Sequence, residues 1–406
     1  MNTPKLRFKE FKDSWSSYKL GEVCTFSKGK ELSKADLSKS GEPCILYGEL
    51  YTRYGTLINS VVSKTNSNSM SLVRAGKNSV LVPSSGETTL DIACASALNI
   101  DDVLIGGDLN ILIPNCSING HFLSLQINGK QKVKLSNLAQ GATIVHLYSD
   151  SIKRLECAFP SLEEQNKISR LFEILEKKVH LQQEKINMLK DLKKGYVQKI
   201  FSREIRFKDK NGQEYPEWSL QKLRNFSERV TTKNSDLVTV RPLTISAQYG
   251  LIDQIEFFNK TVASENLTGY YLLNKGEFAY NKSYSNGYPL GAIKRLDDYE
   301  SGALSTLYIC FKPKENVNSD FLVHYFDSTQ WYKEVSLICV EGARNHGLLN
   351  VSVSEFFETL HYLPCLEEQL RIAKFFNCIN QKIKLNEQTL ENLQGQKQTL
   401  MQQMFI

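Results

Sequence analysis

The sequence predicts an α+β fold in which two strand-rich α/β domains are joined by two long antiparallel coiled-coil helices, as a pseudo-two-fold internal repeat. Three observations support this prediction. A block over 160–201 returns over 364–405 at a constant offset of 204 residues, from Pro160 to Pro364. Both copies carry apolar residues at heptad spacing. The segments before the copies contain short apolar runs bounded by Gly, Asn and Pro, which is typical of strands.

Each strand-rich domain begins in the same way, and this places the domain boundaries. Arg7 and Phe8 precede Trp15 in the first copy, and Arg206 and Phe207 precede Trp218 in the second. Beyond these openings the two domains share little sequence, so we expect one scaffold with two different surfaces. The predicted divisions are a first domain over 1–158, a first helix over 159–201, a second domain over 202–362 and a second helix over 363–406.

Short runs rich in β-branched and aromatic residues predict the strands of both domains. In the first domain these runs lie at 79–82 and 111–113, and in the second they lie at 277–280 and 307–311. Long helical stripes are scarce between them. The pattern therefore favours an α+β arrangement within each domain.

The two long helices follow from a 3.5-residue apolar repeat, the signature of a coiled-coil seam. Pro160 and a capping box of Ser161 with Glu164 mark the start of the first helix. Polar residues interrupt the seam at matching positions, Gln182 with Asn386. The apolar seam residues are Ile168, Phe172, Leu175, Val179, Ile186 and Leu189 in the first helix and Ile372, Phe376, Ile379, Ile383, Leu390 and Leu393 in the second.

Two stripes of matching length in one chain can bury each other, so we predict that the helices pair antiparallel within the molecule. Two alternatives stay open at this point. Each helix could instead pack on its own domain, or the chain could dimerise through its helices. In the paired arrangement, the polar seam positions would fix the register at some cost in stability.

Composition restricts the class of protein. The chain has 406 residues, of which 41% are hydrophobic and 23% charged, and a net charge of +6, which permits nucleic-acid binding through local patches. Nine scattered cysteines without a C-x-x-C pair argue against a disulfide framework and predict a cytoplasmic location. No apolar run approaches the roughly 18 residues of a membrane span.

Motifs for catalysis and cofactor binding are missing from the sequence. There is no G-x-G-x-x-G loop, P-loop, H-E-x-x-H or Cys/His cluster, and no Pro-Pro-Tyr/Phe signature of amino-methyltransferases. We therefore expect no catalytic residue, no metal site and no cofactor bound by this chain.

Polar loops after predicted strands are the candidate DNA-binding sites, because their amide, hydroxyl and ammonium groups can bond to base edges and phosphates. The alternative for each residue is an ordinary solvated turn. The candidates in the first domain are Lys28, Lys30, Arg53, Tyr54, Ser84, Ser85, Thr88 and Thr89. The candidates in the second domain are Lys282, Ser283, Tyr284, Ser285, Asn286, Tyr288, Arg344, Asn345 and His346.

The order of these features resembles the specificity subunit of type I restriction–modification systems over essentially the whole chain. The resemblance rests on the two Pro-x-Leu-Glu-Glu-Gln helix starts at 160–165 and 364–369, on the Arg-Phe…Trp…Leu openings, and on the segments 83–88, 107–110 and 342–349. It implies that each globular domain is a target recognition domain. The two helices would be the conserved spacer pair, so that spacer length follows helix length.

The resemblance also implies a function and a set of partners. Such a subunit is a non-catalytic protein that recognises double-stranded DNA at a bipartite target, with one half-site per recognition domain. It scaffolds two modification subunits, which methylate DNA with S-adenosylmethionine, and restriction subunits that use ATP and Mg²⁺. The main alternative from the residues alone is a non-catalytic protein–protein scaffold or adaptor with a coiled-coil rod.

Overall fold

The computed structural model describes residues 3–141, 143–259, 266–339 and 349–406. By its internal contacts the chain divides into two compact units. Unit 1 comprises Met1–Lys185 and Asn386–Ile406, and unit 2 comprises Ile186–Leu385. Each long helix therefore contributes one part to each unit.

Unit 1 contains short strands and helices followed by the first part of a long helix. The strands are β1 (Ser16–Lys19), β2 (Cys24–Lys28), β3 (Leu37–Ser38), β4 (Glu42–Ile45), β5 (Leu57–Ile58), β6 (Lys64–Thr65), β7 (Val73–Ala75), β8 (Val80–Pro83), β9 (Ser85–Gly86), β10 (Ser96–Leu98), β11 (Val103–Ile105), β12 (Leu109–Pro114), β13 (Val145–His146) and β14 (Glu156–Phe159). The helices are α1 (Leu20–Val23), α2 (Glu49–Thr52), α3 (Thr89–Ile92), α4 (Gly120–Asn128), α5 (Lys132–Ser136), α6 (Ser149–Lys153) and the long α7 (Leu162–Phe201).

Two five-stranded sheets form most of unit 1. Their strand orders are β2-β12-β8-β10-β5 and β3-β6-β4-β11-β7. Most neighbours are antiparallel, but β10 pairs with β5 and β11 pairs with β4 in parallel. The crossovers bring loops from distant parts of the chain to the same sheet ends, which positions the candidate site described below.

Unit 2 is built from the remaining elements and from parts of both long helices. Its strands are β15 (Ser219–Lys222), β16 (Ser227–Arg229), β17 (Leu243–Ser246), β18 (Gly250–Asp253), β19 (Tyr271–Asn274), β20 (Phe278–Asn281), β21 (Ala292–Arg295), β22 (Ser301–Leu304), β23 (Ile309–Pro313) and β24 (Leu360–Leu363). The helices are α8 (Leu223–Phe226), α9 (Gln254–Phe258), α10 (Ser319–Phe326), α11 (Tyr332–Ile338), α12 (Val353–Glu358) and the long α13 (Leu366–Gln403).

The sheets of unit 2 are smaller than those of unit 1. A four-stranded antiparallel sheet has the order β16-β23-β20-β21, and the pairs β17-β18, β19-β22 and β15-β24 form two-stranded sheets. The runs predicted at 79–82, 111–113, 277–280 and 307–311 overlap β8, β12, β20 and β23.

The two units contain corresponding aromatic cores where their helices pack. In unit 1, the ring of Phe172 on α7 lies 5.8 Å from that of Phe405, just after α13. In unit 2 the equivalent pair, Phe376 and Phe201, is 6.0 Å apart. Each core thus combines the beginning of one long helix with the end of the other, which is antiparallel packing within each unit. The predicted α+β fold class with an antiparallel coiled coil is confirmed.

The heptad positions of both helices lie on their packed side. Ile168, Phe172, Leu175 and Ile186 are buried on α7, and the intervening seam positions through Ile200 are half-buried or buried. On α13, the buried seam residues are Ile372, Phe376, Ile379 and Ile383, with Leu390 and Leu393 half-buried, while Val179 and Leu189 are half-buried on α7. In the ranges that the structure covers, no helix has both the length and the apolar character to cross a membrane.

Candidate nucleic-acid interface

Two candidate loops of unit 1 meet at one end of the first five-stranded sheet. The Gly29 N–H donates to the Leu109 carbonyl at 2.9 Å, and the Ser84 N–H donates to the Asp108 carbonyl at 2.8 Å. Both loops are therefore held beside the start of β12. Lys28 and Lys30 flank Gly29 and are exposed, so this sheet end presents two ammonium groups to solvent.

The polar residues of the loop after β8 differ in their exposure to solvent. Ser84 and Ser85 are buried, and Ser85 Oγ lies 3.1 Å from His146 Nδ1. Their burial follows from the pairing of β13 with β9, which covers this part of the loop. A phosphate or base edge cannot reach these hydroxyls in this arrangement, so neither residue enters the interface proposed below.

Thr88 and Thr89 lie at the start of α3. Thr88 is exposed, and its side chain caps the helix by accepting from the Asp91 N–H at 3.2 Å. The Thr88 hydroxyl also donates to the Asp91 carboxylate at 2.6 Å. Thr89 is half-buried. Thr88 therefore remains at the surface, although its hydroxyl already stabilises α3.

Two exposed tyrosines, which the sequence candidates did not include, lie near this loop. Tyr47 and Tyr51 are 37% and 36% exposed. Partial burial raises the pKa of the Tyr51 hydroxyl, and the nearby Tyr47, Glu87 and Asp91 raise it further. The recurrence of tyrosine at positions 47, 51 and 54 is the sequence feature that could have identified these two residues. Exposed tyrosine rings with a polar tip suit a wet, partly apolar interface.

Arg53 and Tyr54 lie at a different place in unit 1. Arg53 forms an ion pair with Glu49 at 3.0 Å, and the Tyr54 hydroxyl accepts from the Val62 N–H at 3.2 Å. Both residues line a groove of about 690 Å³ that also includes Lys177 of α7. Arg53 is exposed, but part of its charge is balanced by Glu49. Neither Lys28 nor Lys30 lines this groove, so Arg53 and Tyr54 form a separate candidate site.

Six of the nine candidates of unit 2, from Lys282 to Tyr288, lie in the loop that follows β20. The Tyr288 N–H donates to the Ser285 carbonyl at 2.8 Å, which closes a tight turn with Gly287 at a φ of +82°. Tyr284 and Asn286 are exposed. Ser283, Ser285 and Tyr288 are half-buried. This turn therefore presents one aromatic ring and one amide to solvent.

Lys282 has a structural contact at the base of the same loop. Its ammonium donates to the Val351 carbonyl at 3.3 Å, and its own carbonyl accepts from the Leu349 N–H at 2.7 Å. The candidates Arg344, Asn345 and His346 lie outside the described residues.

The repeated Leu-Glu-Glu-Gln motif has a role that the sequence candidates missed. The second glutamate, Glu164, is buried and accepts two hydrogen bonds from Arg7, both at 2.7 Å. This hydrogen bond raises the pKa of Arg7. In unit 2, Glu368 accepts from Arg206 at 2.9 Å and from Trp218 Nε1 at 3.1 Å. The motif therefore fastens the opening segment of each unit to the start of a long helix.

The glutamine of this motif fastens a second element. Gln165 donates to the Pro160 carbonyl at 2.9 Å and accepts from the Asn119 N–H at 2.9 Å. Gln369 makes the same two contacts, with the Pro364 carbonyl at 2.9 Å and the Asn318 N–H at 2.8 Å. Asn119 and Asn318 cap α4 and α10. The joint between globular part and helix is thus the same in both units, while their exposed loops differ.

Comparisons with known proteins agree with this arrangement. Residues 12–191 match the family model of the type I restriction modification DNA specificity domain. The type I restriction enzyme MjaVIII specificity subunit of Methanocaldococcus jannaschii is similar to the chain, with 22% identity over 411 residues, covering 96% of this chain and 91% of that protein.

Solved structures show the same fold. The S subunit of a type I restriction-modification system from M. genitalium superposes with a TM-score of 0.58 at 17% identity, covering 100% of this chain and 99% of the other. A chain from a study of complex assembly and conformational transition of the type I R-M system gives a TM-score of 0.55 at 13% identity, covering 95% of this chain and 96% of the other.

Proposed function

Because the chain belongs to the specificity subunits of type I restriction–modification systems, we propose that each of its two units reads one half-site of a bipartite DNA target. The chain is the DNA-recognition component of such a system and not its catalytic component. We propose the four-part division into recognition domains over 1–158 and 202–362 and spacer helices over 159–201 and 363–406.

The observation that supports this proposal is that the same contact joins each of two different domains to a long helix. Arg7 with Glu164 and Arg206 with Glu368 repeat one buried contact in the two units. The loops that these joints support differ in sequence and in exposed chemistry. A protein that must read two unrelated short sequences needs one scaffold with two different polar surfaces, because base identity is read by side-chain donors and acceptors in the groove.

In unit 1 we place the DNA contact at the sheet end that presents Lys28, Lys30 and Thr88. The two ammonium groups bind phosphates and so set the position of the domain on the duplex. Tyr47 and Tyr51 add exposed aromatic surface near the same loop. We assign Arg53 and Tyr54 to a separate contact, since they line the groove beside α7.

In unit 2 we place the DNA contact at the loop after β20. Tyr284 and Asn286 are its most exposed candidates, and Ser283, Ser285 and Tyr288 support the turn. Lys282 instead holds the loop base through Val351. Neutral polar groups in such a loop suit base edges better than phosphates.

The outer faces of the helices suit the modification subunits. Ile174 and Leu181 of α7 are 47% and 52% exposed, one heptad apart and away from the seam. The equivalent positions of α13 are Cys378, which is exposed, and Leu385, which is 54% exposed. Each unit therefore carries a version of the same apolar pair, and we propose that each pair receives one of two copies of the modification subunit.

We place the cofactors on the partner chains, in the cytoplasm. S-adenosylmethionine belongs to the modification subunits, and ATP with Mg²⁺ belongs to the restriction subunits that join the complex. The purified chain alone is then expected neither to bind S-adenosylmethionine nor to methylate DNA.

Mapping of methylated bases tests the proposal directly. The chain is co-expressed with the modification subunit from the same genome in a host that lacks DNA methylation. The expected result is one bipartite motif with a fixed spacer. Absence of any sequence motif, together with assembly of an intact complex, would favour the adaptor function instead.

A further inference from the structure

Unit 2 contains a polar cleft of about 280 Å³ between the turn that joins β17 to β18 and the loop that follows β20. Ser246 and Gln248 line it from the turn. Asn281 lines it from the end of β20, and Ser283 and Asn286 line it from the loop. Neither Ser246 nor Gln248 is among the candidates from the sequence. The cleft therefore extends the recognition surface to a second segment of the chain.

Both rims of the cleft are held by backbone turns. On one rim, Ser246 Oγ accepts from the Tyr249 N–H at 3.2 Å, and Gly250 has a φ of +90°. This positive φ is costly for residues with a Cβ, so glycine suits the position. Gln248, between these fixed points, is exposed. On the other rim the turn closed by Ser285 and Tyr288 exposes Asn286. Two side-chain amides thus project from ordered turns.

The cleft is neutral, although basic residues lie nearby in the sequence. No residue that lines it, within the described ranges, carries a charge. The Lys282 ammonium donates to the Val351 carbonyl at 3.3 Å. Lys294 forms an ion pair with Asp327 at 2.7 Å, and Arg295 forms one with Asp320, also at 2.7 Å. These three cations therefore make contacts outside the cleft.

This chemistry distinguishes between the possible nucleic-acid ligands. Phosphates and the guanine edge are bound mainly by arginine and lysine, and the cytosine amino group is bound by carboxylates. Adenine presents one acceptor, N7, beside one donor, the N6 amino group, and a side-chain amide satisfies both at once. A cleft with a side-chain amide on each rim and no charged residue therefore matches adenine better than it matches phosphate, guanine or cytosine.

We propose that Gln248 reads an adenine in the half-site recognised by unit 2, with Asn286 contacting the neighbouring base pair from the opposite rim. The Gln248 amide N–H donates to adenine N7, and the adenine N6 amino group donates to the Gln248 side-chain oxygen. This inference rests on the proposed DNA-recognition function and names the base class that one of its surfaces takes.

The test compares methylated motifs of complexes that contain the full chain with either Gln248 or one of two substitutions. Gln248→Ala removes the amide, and Gln248→Glu keeps the length but replaces the amide donor with a carboxylate. Gln330→Ala is the matched control, because Gln330 is an exposed amide of unit 2 that lies in a different pocket. Binding of the assembled complexes to duplexes varied at each position supplies the quantitative readout.

The expected result is relaxation at one A·T pair of one half-site, with discrimination at that pair falling roughly 5- to 100-fold for Gln248→Ala. Gln248→Glu should lose the adenine preference and accept cytosine at the same pair. Gln330→Ala should keep the wild-type motif. An unchanged motif for both Gln248 variants would overturn the inference, and so would relaxation at a G·C pair or equal loss at both half-sites.

The wild-type complex distinguishes failure of this inference from failure of the proposed function. If the wild-type complex has no bipartite motif, the proposed function itself is wrong. If the wild type reads a bipartite motif and the Gln248 variants read the same one, only the adenine assignment is wrong. Should Gln248→Ala fail to assemble with the modification subunit, Gln248→Glu is judged by the same criteria, and Asn286→Ala is expected to relax the neighbouring base pair of the same half-site.

Discussion

Gln182 and Asn386 occupy equivalent positions of the two sequence repeats and hydrogen-bond to each other. The Gln182 side-chain amide donates to the backbone carbonyl and the side-chain oxygen of Asn386, both at 2.9 Å. Antiparallel helices bring equivalent positions together at only one place, so this pair marks the register of α7 against α13 within unit 1. Lys397, one heptad after the seam residue Leu390, forms an ion pair with Glu176 at 2.6 Å.

The Gln182–Asn386 pair is expected to fix register more than it adds stability. Gln182→Leu should lower the free energy of unfolding by about 1–2 kcal/mol, since it removes both hydrogen bonds to residue 386. Asn386→Leu should cost less, because the backbone carbonyl of residue 386 can still accept from Gln182. The double substitution should recover most of that loss, because two leucines pack in an apolar seam. Urea unfolding of the three variants measures this cycle. If the double variant lost as much stability as the two single variants together, the pair would not act mainly on register.

Arg7 is expected to be essential for unit 1. Glu164 is 1% exposed, so removing Arg7 leaves a buried carboxylate without its cation. Arg7→Met should lower the free energy of unfolding by about 3 kcal/mol. Arg170→Met is the control, because Arg170 is exposed on α7 and should change stability by less than about 0.5 kcal/mol. Equal effects of the two substitutions in thermal unfolding would refute a special role for Arg7.

His121 is expected to make unit 1 less stable in mild acid. Burial lowers the pKa of His121 to about 4, despite an opposing effect of Glu176. Its Nε2 lies 3.0 Å from the Thr56 hydroxyl, which donates to Glu176 at 2.7 Å. The unfolded state takes up a proton near pH 6.5 but the folded state does not, so stability is complete above about pH 6.5 and falls as the pH drops towards 4.

The His121 effect at pH 5 should be about 2 kcal/mol relative to pH 7.5. His121→Gln should reduce this pH dependence, even if its stability at pH 7.5 is lower. His180→Gln is the control, since His180 is exposed on α7, where it lies beside Glu184. Unfolding midpoints at both pH values provide the measurement. A pH dependence that His121→Gln leaves unchanged would assign the effect to other groups.

Lys30 is expected to contact a phosphate and not a base. Lys30→Ala should weaken binding of the assembled complex to all sequences alike and reduce the slope of log affinity against log salt by about one. Lys12→Ala is the control, because Lys12 is also exposed but lies in the N-terminal segment before β1. Fluorescence anisotropy over a salt series distinguishes the two. A changed recognition motif for Lys30→Ala would instead make Lys30 a base-reading residue.

The sequence by itself determined the repeat, the two long helices and their packed faces. A heptad pattern is a local property, so Ile168, Phe172 and their counterparts could be placed on a seam without any knowledge of the tertiary structure. The openings at Arg7 and Arg206 are also equivalent in local sequence, but no local pattern predicts that these arginines bind Glu164 and Glu368.

Tertiary structure alone decided which polar residues are accessible. Ser84 and Ser85 looked like surface hydroxyls in sequence, but β13, some 60 residues later, covers them. Gln248 carried no motif, yet the fold places its turn across a cleft from Asn286. Accessibility depends on contacts between segments far apart in the chain, and no local pattern of residues encodes those contacts.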